Sequence, residues 1–520
     1  MTFDRKRLVP YGLAGLGGAL SILSFPGYGL WPLAFFSLLP LLIALEGTTP
    51  KQALRLGCFS SFIANAAGFY WLIGTVRDFG ELPLPIAVAS YLALSAANGL
   101  GWGVFSMLTR IARSDADGRA PWCLAPFSFT AVEFAWWSVF PAYFGAGLWK
   151  TPILTQGAEL TGILGCSFLL VLVNAALYDA YRAARRQSST WRVSIPIAAA
   201  VLAAWTIFGA WRLSAIDAIS AAAPQLRIGM VQSNIGAFTK RRAGQGEMNA
   251  ARDEVSLYQD MSRELEAKGT LDLVMWPETA YPFRLPLNVK NAKFAVGPIT
   301  APVVIGAVTD QPHGAMHNSA VLMDRSGNVL GESHKIHMVP FGEYLPFGDR
   351  FPKLYELIPA ISHLQPGDAP HPLVLVDGDK TYRFGSLICY EDILPGYTRE
   401  VVRATDPDLI LNLTNDSWYG DSIEPTIHLA LATFRAIEHR RGLVRSTNTG
   451  RSALVDPAGR VVLESGQHTK EVLSGSLPLV RGITTIYRMF GDWLGWLSLG
   501  VSTFLAVTRY RARGVARAGK

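Results

Sequence analysis

The feature that most constrains the fold of this 520-residue chain is a run of 38 residues, Leu8 to Leu45, without a charged side chain. A membrane-spanning helix needs about 20 consecutive apolar residues, so the run is long enough for two spans. The Pro26-Gly27 pair near its middle is typical of a turn. A cleaved signal peptide would end in a small-residue cleavage pattern, which this run lacks. The run therefore predicts two membrane-spanning helices joined by a tight turn.

Further apolar runs follow the first one. They lie at Leu56–Val76, Leu82–Thr109, Pro121–Phe144, Thr161–Tyr178, Val193–Trp211 and Phe490–Thr508. Together these runs predict about seven helices before residue 212 and one after residue 488. Only 17% of the residues are charged, against about 25% in an average soluble domain, and the charges concentrate between the last two runs. We therefore expect a helical membrane region at 1–211, a soluble domain at 212–488, and a C-terminal span with a basic tail at 489–520.

Basic residues in the loops predict the orientation, because positively charged loops stay in the cytoplasm. With a cytoplasmic N-terminus, the cytoplasmic segments contain Arg5, Lys6, Arg7, Lys51, Arg55, Arg110, Arg113, Arg119, Arg182, Arg185, Arg186, Arg192, Arg509, Arg511, Arg513, Arg517 and Lys520. The short loops of the opposite face contain Arg77 and Lys150. The soluble domain is then extracytoplasmic, and both termini are cytoplasmic. Because the basic residues flank predicted spans, the net charge of +7 does not indicate a nucleic-acid partner.

Cysteine usage singles out one thiol. Cys58, Cys123 and Cys166 fall in predicted spans, which leaves Cys389 as the only cysteine of the predicted extracytoplasmic domain. It has no disulfide partner there, and an unpaired thiol in an oxidising compartment is expected to be buried or functional. The 4 cysteines and 9 histidines show no metal-ligand spacing, so we expect neither a metal site nor a cofactor.

Between 212 and 488 the pattern changes to short apolar runs separated by turns and amphipathic stretches. Strand-like runs lie at Gln225–Gln232, Leu271–Trp276, Pro302–Val308, Ser319–Asp324, Thr381–Cys389 and Asp408–Leu413. Helix-like runs lie at Glu247–Ala267 and His428–Arg441. Alternation of this kind is typical of an α/β domain.

Three segments place ionisable residues at or just after strand-like runs, where α/β domains often present functional groups. They are Trp276-Pro277-Glu278, then His334-Lys335 with the following Pro340-Phe341-Gly342-Glu343-Tyr344-Leu345-Pro346, and Cys389-Tyr390-Glu391-Asp392. Each segment alone has an ordinary explanation. Glu278 fits a turn carboxylate, Lys335 a solvated hairpin charge, and Cys389 a small buried hydrophobic residue.

Taken together, Glu278, Lys335 and Cys389 resemble the ordered Glu-Lys-Cys triad of the nitrilase (carbon–nitrogen hydrolase) superfamily. The segment Asn412-Leu413-Thr414-Asn415-Asp416-Ser417-Trp418-Tyr419-Gly420 is similar to a family segment that follows the catalytic cysteine. A triad domain behind about seven spans, closed by a C-terminal span, resembles the membrane-embedded branch, the apolipoprotein N-acyltransferases. The resemblance covers essentially the whole chain. It implies a multi-span α-helical membrane domain and an extracytoplasmic α-β-β-α sandwich.

The chemistry of these residue types agrees with the resemblance. A thiol has an ordinary pKa of about 8.5 and is mostly protonated at neutral pH, so a nucleophilic Cys389 needs a base and a nearby cation. Glu278 can be the general base. Lys335 can supply the cation and, with a backbone N–H, stabilise the oxyanion of acyl transfer. The supporting residues that the resemblance implies are Glu343, Glu391 and Tyr390.

The resemblance implies a two-step acyl transfer. Cys389 takes an acyl chain from a membrane phospholipid, and the α-amino group of a diacylglyceryl-cysteine at an apolipoprotein N-terminus then attacks the thioester. The implied partners are therefore the phospholipid donor and the diacylglyceryl-apolipoprotein acceptor. We expect a monomer in the inner (plasma) membrane, with its catalytic domain on the periplasmic side.

Aromatic residues near the triad are candidates for lipid contact. They are Tyr344, Phe347, Phe351 and Trp418. Most belong to an apolar stretch at 344–358 that prolines interrupt, which we interpret as a lid or arm facing the membrane. Within the predicted spans, Glu133 is unusual because an ionisable residue at membrane depth indicates function. Its neighbours Trp136 and Trp137 favour an interfacial position instead.

Two alternatives stay open on the sequence. The same triad would serve a membrane-tethered amidase or nitrilase in which water resolves the thioester, although the apolar mouth argues against a small polar substrate. A noncatalytic lipid-binding protein on an inactive nitrilase fold would not need Glu278, Lys335 and Cys389 together. Turnover of a soluble amide without release of lysophospholipid would favour the first. Labelling of Cys389 by a thiol-reactive lipid analogue would argue against the second.

Overall fold

The computed structural model describes residues 5–112, 124–187, 189–236, 247–346, 348, 350, 351, 353 and 364–518. The chain forms two compact units. The helical unit comprises Met1–Ile73, Pro83–Leu213 and Phe490–Lys520, and the α/β unit comprises Gly74–Leu82 and Ser214–Met489. The short segment Gly74–Leu82 thus belongs to the α/β unit, although it includes the end of one predicted apolar run and the first residue of the next.

The helices follow the apolar and amphipathic runs of the sequence. They are α1 (Arg5–Leu23), α2 (Leu39–Ala44), α3 (Pro50–Gly68), α4 (Leu72–Asp78), α5 (Leu84–Ala112), α6 (Leu124–Ala135), α7 (Pro152–Thr155), α8 (Ala158–Thr161), α9 (Ile163–Ala184), α10 (Trp191–Ala222), α11 (Met248–Ala267), α12 (Lys293–Val296), α13 (Pro395–Thr405), α14 (Glu424–His439), α15 (Ile486–Phe490) and α16 (Trp493–Ala518). Local sequence sets some of their ends. At α3, for example, Thr49 and Gln52 form a capping box and Pro50 occupies the first turn.

Three helices of the described residues, α5, α9 and α10, are long and apolar enough to cross a membrane. A fourth span results if α3 and α4, which are bent by 57° at a short break, are counted as one. Shorter apolar helices occupy Leu8–Leu23, Trp31–Ala44, Leu124–Ala135 and Trp493–Thr508. The predicted runs are therefore largely helical, but the helices at Leu8–Leu23, Trp31–Ala44 and Leu124–Ala135 are shorter than the spans predicted there.

The 38-residue run shows why hydropathy overestimates helix length. α1 ends at Leu23, and Gly27 takes a positive φ of 98° in the turn that follows. The second half of the run is divided into a 3₁₀ helix, Trp31–Phe35, and α2, each with a proline in its first two positions. Proline begins a helix well but lacks the N–H that would continue a preceding one. The prolines therefore decide where the apolar run breaks.

The α/β unit contains two sheets. Its strands are β1 (Gln225–Gln232), β2 (Leu273–Met275), β3 (Tyr281–Leu285), β4 (Val303–Asp310), β5 (Met316–Met323), β6 (Val329–His334), β7 (Leu373–Asp377), β8 (Lys380–Ile388), β9 (Leu409–Thr414), β10 (Gly442–Thr447), β11 (Ala453–Val455), β12 (Val461–Glu464) and β13 (Glu471–Pro478). The first sheet has the order β13-β1-β2-β4-β5-β6, with β3 beside β4, and the second has the order β12-β11-β10-β9-β8-β7.

The two sheets face each other. Ser446 of β10 donates to the carbonyl oxygen of Met275 in β2 at 3.4 Å, and Thr447 donates to Gln232 of β1 at 3.0 Å. Helix α11 packs on the first sheet, and α13 and α14 pack on the second. The predicted α/β fold is confirmed, and the predicted strands coincide with β1, β2, β4, β5, β8 and β9 within a few residues.

The topology places the ends of several strands at one edge of each sheet. β2 is parallel to β4, β5 is antiparallel to β4, and β6 is antiparallel to β5, so β2 and β6 run in the same direction. Glu278 follows β2 and Lys335 follows β6 directly. In the second sheet β8 and β9 are parallel, and Cys389 follows β8. These three side chains therefore leave the sheets at strand carboxyl ends.

Candidate active site

The turn that carries Glu278 is anchored by the buried indole of Trp276. This ring stacks on Tyr258 with 5.0 Å between centroids, and its N–H donates to the Ser262 hydroxyl at 2.9 Å. Both partners lie on α11. The helix that covers the first sheet therefore fixes the chain immediately before Glu278.

Contacts with β4 and β5 also restrict the position of the Glu278 carboxylate. Gly306 of β4 passes under the turn so closely that a Cβ there would overlap the Pro277 carbonyl oxygen. Thr279 takes a positive φ of 47°, which is uncommon for a β-branched residue. The Glu278 side chain is buried and accepts a hydrogen bond from Asn318 of β5 at 2.7 Å. The surrounding backbone therefore leaves this carboxylate little freedom.

Lys335 is a fully buried lysine. Its Nζ lies 3.3 Å from Oε1 of Glu278 and 2.6 Å from Oε1 of Glu343. The second Glu343 oxygen accepts the N–H of Val339 at 2.8 Å. Burial alone would lower the pKa of the ammonium, but the two carboxylates outweigh burial and raise it well above its usual range. Lys335 therefore stays protonated as a fixed cation between Glu278 and Glu343.

Cys389 begins a 3₁₀ helix, Cys389–Ile393, directly after β8. Its backbone takes a φ of 55°, in the left-handed region that costs free energy for a residue with a Cβ. Burial raises the pKa of the thiol well above its usual range, and Glu278 raises it further, while Lys335 acts in the opposite direction. The resting thiol is therefore protonated, and it becomes a nucleophile only when a base takes its proton.

Glu391 connects the backbone just before Cys389 to the segment after β6. Its Oε2 accepts the N–H of Ile388 at 2.7 Å, and its Oε1 accepts those of Ile336 at 2.7 Å and His337 at 2.9 Å. Burial raises the pKa of this carboxyl to about 7. Glu391 therefore holds the backbone beside both Cys389 and Lys335, whereas Glu343 contacts the ammonium itself.

The other predicted residues lie around these groups. Tyr390 is buried, and burial together with the nearby Tyr344 raises the pKa of its phenol. Tyr344 is 39% exposed and Phe351 is 59% exposed, so both rings reach the surface. Phe347 and most of the predicted lid at 344–358 lie outside the described residues.

Trp418 lies in a 3₁₀ helix, Asp416–Tyr419, after β9. Its indole stacks on Phe79 with 4.5 Å between centroids and 14° between planes, and its carbonyl oxygen accepts the Thr75 hydroxyl at 2.8 Å. The indole also lies close to Gly342, the residue before Glu343. A short segment from between two apolar runs therefore contributes an aromatic ring beside the triad.

Among the described residues, Asp416, Glu424 and His428 form a group that could hold a metal ion, with ligand atoms within 4.8 Å of one another. The guanidinium of Arg445, however, donates to both Asp416 oxygens at 3.3 and 3.0 Å. The two nitrogens of His428 lie 2.6 Å from Asp392 Oδ1 and 3.2 Å from Asp416 Oδ1. Arg445 and His428 already pair with the Asp416 carboxylate, and His428 Nδ1 also lies 3.8 Å from Glu424 Oε1, so the group is a buried cluster of charged side chains.

Glu133 belongs to the helical unit. Its Oε1 accepts the N–H of Phe144 at 2.6 Å. The side chain lines a cavity of about 90 Å³ together with Asn65, Asn98 and Ser138. Trp137 beside it is 68% exposed. A backbone hydrogen bond therefore accounts for one carboxylate oxygen, and the interfacial position favoured by the sequence stays a prediction.

Sequence reasoning missed three residues of the site. Asn318 is a polar residue within the apolar strand β5, Arg445 is a charged residue in the middle of β10, and Phe79 lies in a short segment. Polar residues inside otherwise apolar strands were a usable signal, because a buried polar group needs a partner. The stack of Phe79 on Trp418 had no sequence signal.

Comparisons with known proteins identify the family of the chain. Residues 17–176 match the family model of the apolipoprotein N-acyltransferase N-terminal domain, and residues 228–487 match that of carbon-nitrogen hydrolase. The apolipoprotein N-acyltransferase of Geobacter metallireducens is 32% identical over 99% of this chain and 98% of its own length. The protein of the same name from Azotobacter vinelandii is 32% identical over 97% of this chain and 96% of its own length.

Solved structures are similar to part of the chain. A carbon-nitrogen hydrolase from Helicobacter pylori is 16% identical, with a TM-score of 0.36, over 52% of this chain and 94% of its own. An amidase from Nesterenkonia sp. is 20% identical, with a TM-score of 0.34, over 49% of this chain and 90% of its own. The sequence matches, which extend over nearly the full length, show that the chain belongs to the apolipoprotein N-acyltransferase family.

Proposed function

We propose that this protein transfers an acyl chain from a membrane phospholipid, through a Cys389 thioester, to the α-amino group of an N-terminal diacylglyceryl-cysteine of apolipoproteins. Membership of its family assigns it more generally to lipoprotein N-acylation. The observation that carries the proposal is the buried Lys335 ammonium between the Glu278 and Glu343 carboxylates. The buried, protonated Cys389 thiol lies close enough for all three charges to shift its pKa. This arrangement offers a base, a fixed cation and a nucleophile in one buried site.

In the first half-reaction, Glu278 takes the thiol proton while the Cys389 sulfur attacks an ester carbonyl of the phospholipid. A carbon–sulfur bond forms and the carbon–oxygen ester bond breaks. The proton held by Glu278 passes to the leaving oxygen, so the lysophospholipid departs with a neutral hydroxyl group. Lys335 stabilises the negative charge that develops on the carbonyl oxygen, because its ammonium is already fixed and dehydrated.

In the second half-reaction, the acceptor's α-amine attacks the thioester carbonyl. An α-amino group has a pKa of about 8, so a local base increases the share of the free amine. Glu278 takes the proton from the attacking nitrogen and returns it to the departing sulfur. The thioester keeps its acyl-transfer potential until the amide forms. No water, metal or cofactor enters this sequence of steps.

The proposal places the reaction at a membrane. We propose a catalytic domain at 212–488 on the periplasmic side of the inner membrane, with the spans at 1–211 and 489–520 and both termini in the cytoplasm. The apolar helices α5, α9 and α10 support a membrane protein, and the distribution of basic residues supports this orientation. We further propose that the protein acts as a monomer.

The lipid-facing mouth is proposed to include the aromatic residues around Trp418. Tyr344 and Phe351 expose much of their rings, and the Trp418 indole is fixed by Phe79. Exposed aromatic and apolar side chains of this kind suit an acyl chain, since burial of each lipid methylene contributes about 0.8 kcal/mol. A small polar amide would gain little from such a surface.

The test is a reconstituted reaction with two substrates. The purified protein is incubated in mixed micelles with a phospholipid that carries a labelled acyl chain and with a diacylglyceryl-cysteine peptide. The proposal predicts labelled N-acyl peptide and one lysophospholipid per product, and loss of both with Cys389→Ala. Labelled free fatty acid without N-acyl peptide would contradict the transferase assignment. Labelled N-acyl peptide made by Cys389→Ala would contradict the thioester.

A further inference from the structure

A second group of buried charges lies in the α/β unit, outside the triad. Asp392, Asp416, His428 and Arg445, which we call the four-charge cluster, are each at most 2% exposed. Arg445 Nη1 donates to Asp392 Oδ2 at 2.6 Å, and Nη2 donates to Asp416 Oδ2 at 3.0 Å. His428 contacts the same two carboxylates at 2.6 and 3.2 Å. Each cation therefore bridges the same two acids, and the contacts form a closed cycle.

The two acids belong to the two turns that carry reactive-site residues. Asp392 lies in the 3₁₀ helix that Cys389 begins, three residues after the nucleophile. Asp416 begins the 3₁₀ helix that ends in Trp418 and Tyr419. The cations come from β10, a strand inside the second sheet, and from α14, a buried helix that packs on it. The cycle therefore joins the two turns through a scaffold that does not itself enter the reaction.

A second path leads from the four-charge cluster to the nucleophile. Arg445 Nη1 also donates to Asn412 Oδ1 at 2.7 Å. The amide nitrogen of Asn412 lies 3.3 Å from the carbonyl oxygens of both Leu387 and Cys389. The left-handed φ of Cys389 needs such support, because surrounding contacts must hold a strained backbone in place.

The charges of the cluster are balanced. Burial and Arg445 lower the pKa of His428, but Asp392 and Asp416 outweigh them and raise it to about 10. His428 is therefore an imidazolium at neutral pH, and two cations face two carboxylates. Gly450 also matches this packing, because a Cβ there would overlap the Asp416 carboxylate. The buried Glu424, 3.8 Å from His428 Nδ1, does not disturb this balance at neutral pH, because burial raises the pKa of its carboxyl to about 8. A buried cluster with balanced charges has the properties of a structural clamp.

We propose that the four-charge cluster is a positioning device, in which Arg445 and His428 hold the Cys389 turn and the Trp418 turn at a fixed separation. Neither residue touches the reacting atoms. Their contribution is the geometry of attack, where a displacement of about 1 Å costs about 10²-fold in rate. The inference rests on the proposed role of Cys389 as the nucleophile.

The test compares Arg445→Lys with Arg435→Lys. Arg435 is an equally buried arginine, and it pairs with Glu438 at 2.9 Å within α14 rather than with either turn. Lysine keeps the charge in both variants, but it cannot bridge two carboxylates with a planar fork. For Arg445→Lys we expect kcat to fall by about 10²-fold with KM changed by less than about threefold. For Arg435→Lys we expect kcat to stay within about threefold of wild type.

Alkylation of Cys389, measured in the absence of lipid substrate, tests this inference independently of the proposed function. The rate at which iodoacetamide alkylates Cys389, followed by peptide mass spectrometry, reports the position and activation of the thiol alone. We expect Arg445→Lys to change it by roughly tenfold and Arg435→Lys to leave it unchanged. A changed alkylation rate in a protein whose wild type transfers no acyl chain would support the positioning role and contradict the proposed function. Equal alkylation and equal kcat in the two variants would overturn the positioning role.

A second variant covers the case in which Arg445→Lys does not fold. Gly450→Ala adds one methyl group against Asp416 and removes no charge. We expect it to lower kcat at least about tenfold with KM retained, because it displaces the Trp418 turn from the Cys389 turn. A Gly450→Ala protein with wild-type kcat and wild-type alkylation of Cys389 would overturn the inference.

Discussion

Two buried charge groups of the α/β unit, the triad group and the four-charge cluster, differ in balance. In the triad group, the Lys335 ammonium lies between the carboxylates of Glu278 and Glu343, beside a thiol that burial keeps protonated. In the four-charge cluster, the cations Arg445 and His428 face two carboxylates in a closed cycle. The first group has a carboxylate in excess that can accept a proton, and the second has none. An excess carboxylate suits the triad group for proton transfer, whereas paired charges suit the four-charge cluster for holding the neighbouring turns in place.

Among variants of the two charge groups, Glu278→Gln is expected to reduce the reaction rate most. Glutamine keeps the size of the side chain and can still accept from Asn318, but it cannot take the Cys389 proton. The loss of a general base typically costs about 10²–10⁴-fold, so we expect acyl-enzyme formation to slow by that factor. Rapid-quench measurement of lysophospholipid release checks it, with the thermal midpoint as a control for folding. Formation of the acyl-enzyme at the wild-type rate would place the base elsewhere.

Lys335→Met is expected to affect both rate and stability. It removes the cation proposed to stabilise the oxyanion, and loss of such a donor costs about 10²–10³-fold in kcat. It also leaves Glu278 and Glu343 buried without their common partner, and breaking such a buried pair typically costs about 3–5 kcal/mol. Activity and thermal unfolding in detergent measure the two effects. Arg263→Ala, which breaks an exposed pair with Asp260, is the matched control and should change neither. Full activity of Lys335→Met would contradict the assignment.

The balance of the four-charge cluster predicts a pH dependence of stability. Asp392 and Asp416 raise the folded pKa of His428 from 6.5 to about 10 despite burial and Arg445. Its contribution is therefore complete below pH 6.5 and is lost as the pH rises towards 10. Glu424 beside it, whose pKa burial raises to about 8, acts in the same direction at lower pH. The thermal midpoint should fall over this range.

The decline should be smaller in His428→Gln, because this variant cannot lose the proton. Thermal midpoints from tryptophan fluorescence at several pH values between about 6 and 10 measure it. His371→Gln is the control, since His371 lies at the surface beside an exposed Asp368. Identical slopes for wild type and His428→Gln would show that His428 is not the titrating group.

The smallest effect is expected from Phe79→Ala. It removes the ring that stacks on Trp418 but leaves both buried charge groups in place. An aromatic pair contributes about 0.5–1.5 kcal/mol, so we expect kcat/KM for phospholipid to fall by about 3- to 10-fold, mainly through KM. Phe79→Tyr should restore the wild-type value. Phe294→Ala, at an exposed phenylalanine of the same unit, serves as the control. An unchanged KM in Phe79→Ala would show that Phe79 does not contribute to phospholipid binding.

How much the sequence predicts differs between parts of the molecule. The strands β1, β8 and β9 follow from apolar runs bounded by turns, and the three triad residues stand at strand ends where function is expected. β10 escaped prediction because Arg445 interrupts its apolar pattern, and the reason for this arginine exists only in three dimensions. Its partners are contributed by two turns and a strand that lie 29 to 53 residues before it in the sequence.

In the helical unit, the sequence predicts where apolar segments lie but not how long their helices are. Helix length depends on single prolines and on packing. The second half of the 38-residue run contains a proline at the start of each of its two short helices, so it does not form one span. Phe79 of the α/β unit shows the same dependence on tertiary structure, since nothing in its local sequence indicates a stack on Trp418, which lies more than 300 residues away.

The most direct test of the proposed thioester is the intact mass of the purified protein after incubation with a phospholipid of defined acyl chains. We expect an added mass of one acyl chain on Cys389, removed by hydroxylamine at neutral pH and by the diacylglyceryl peptide, and absent from Cys389→Ala. An acyl adduct of the same mass in Cys389→Ala, or a wild type that transfers acyl chains without an adduct that the peptide consumes, would contradict it.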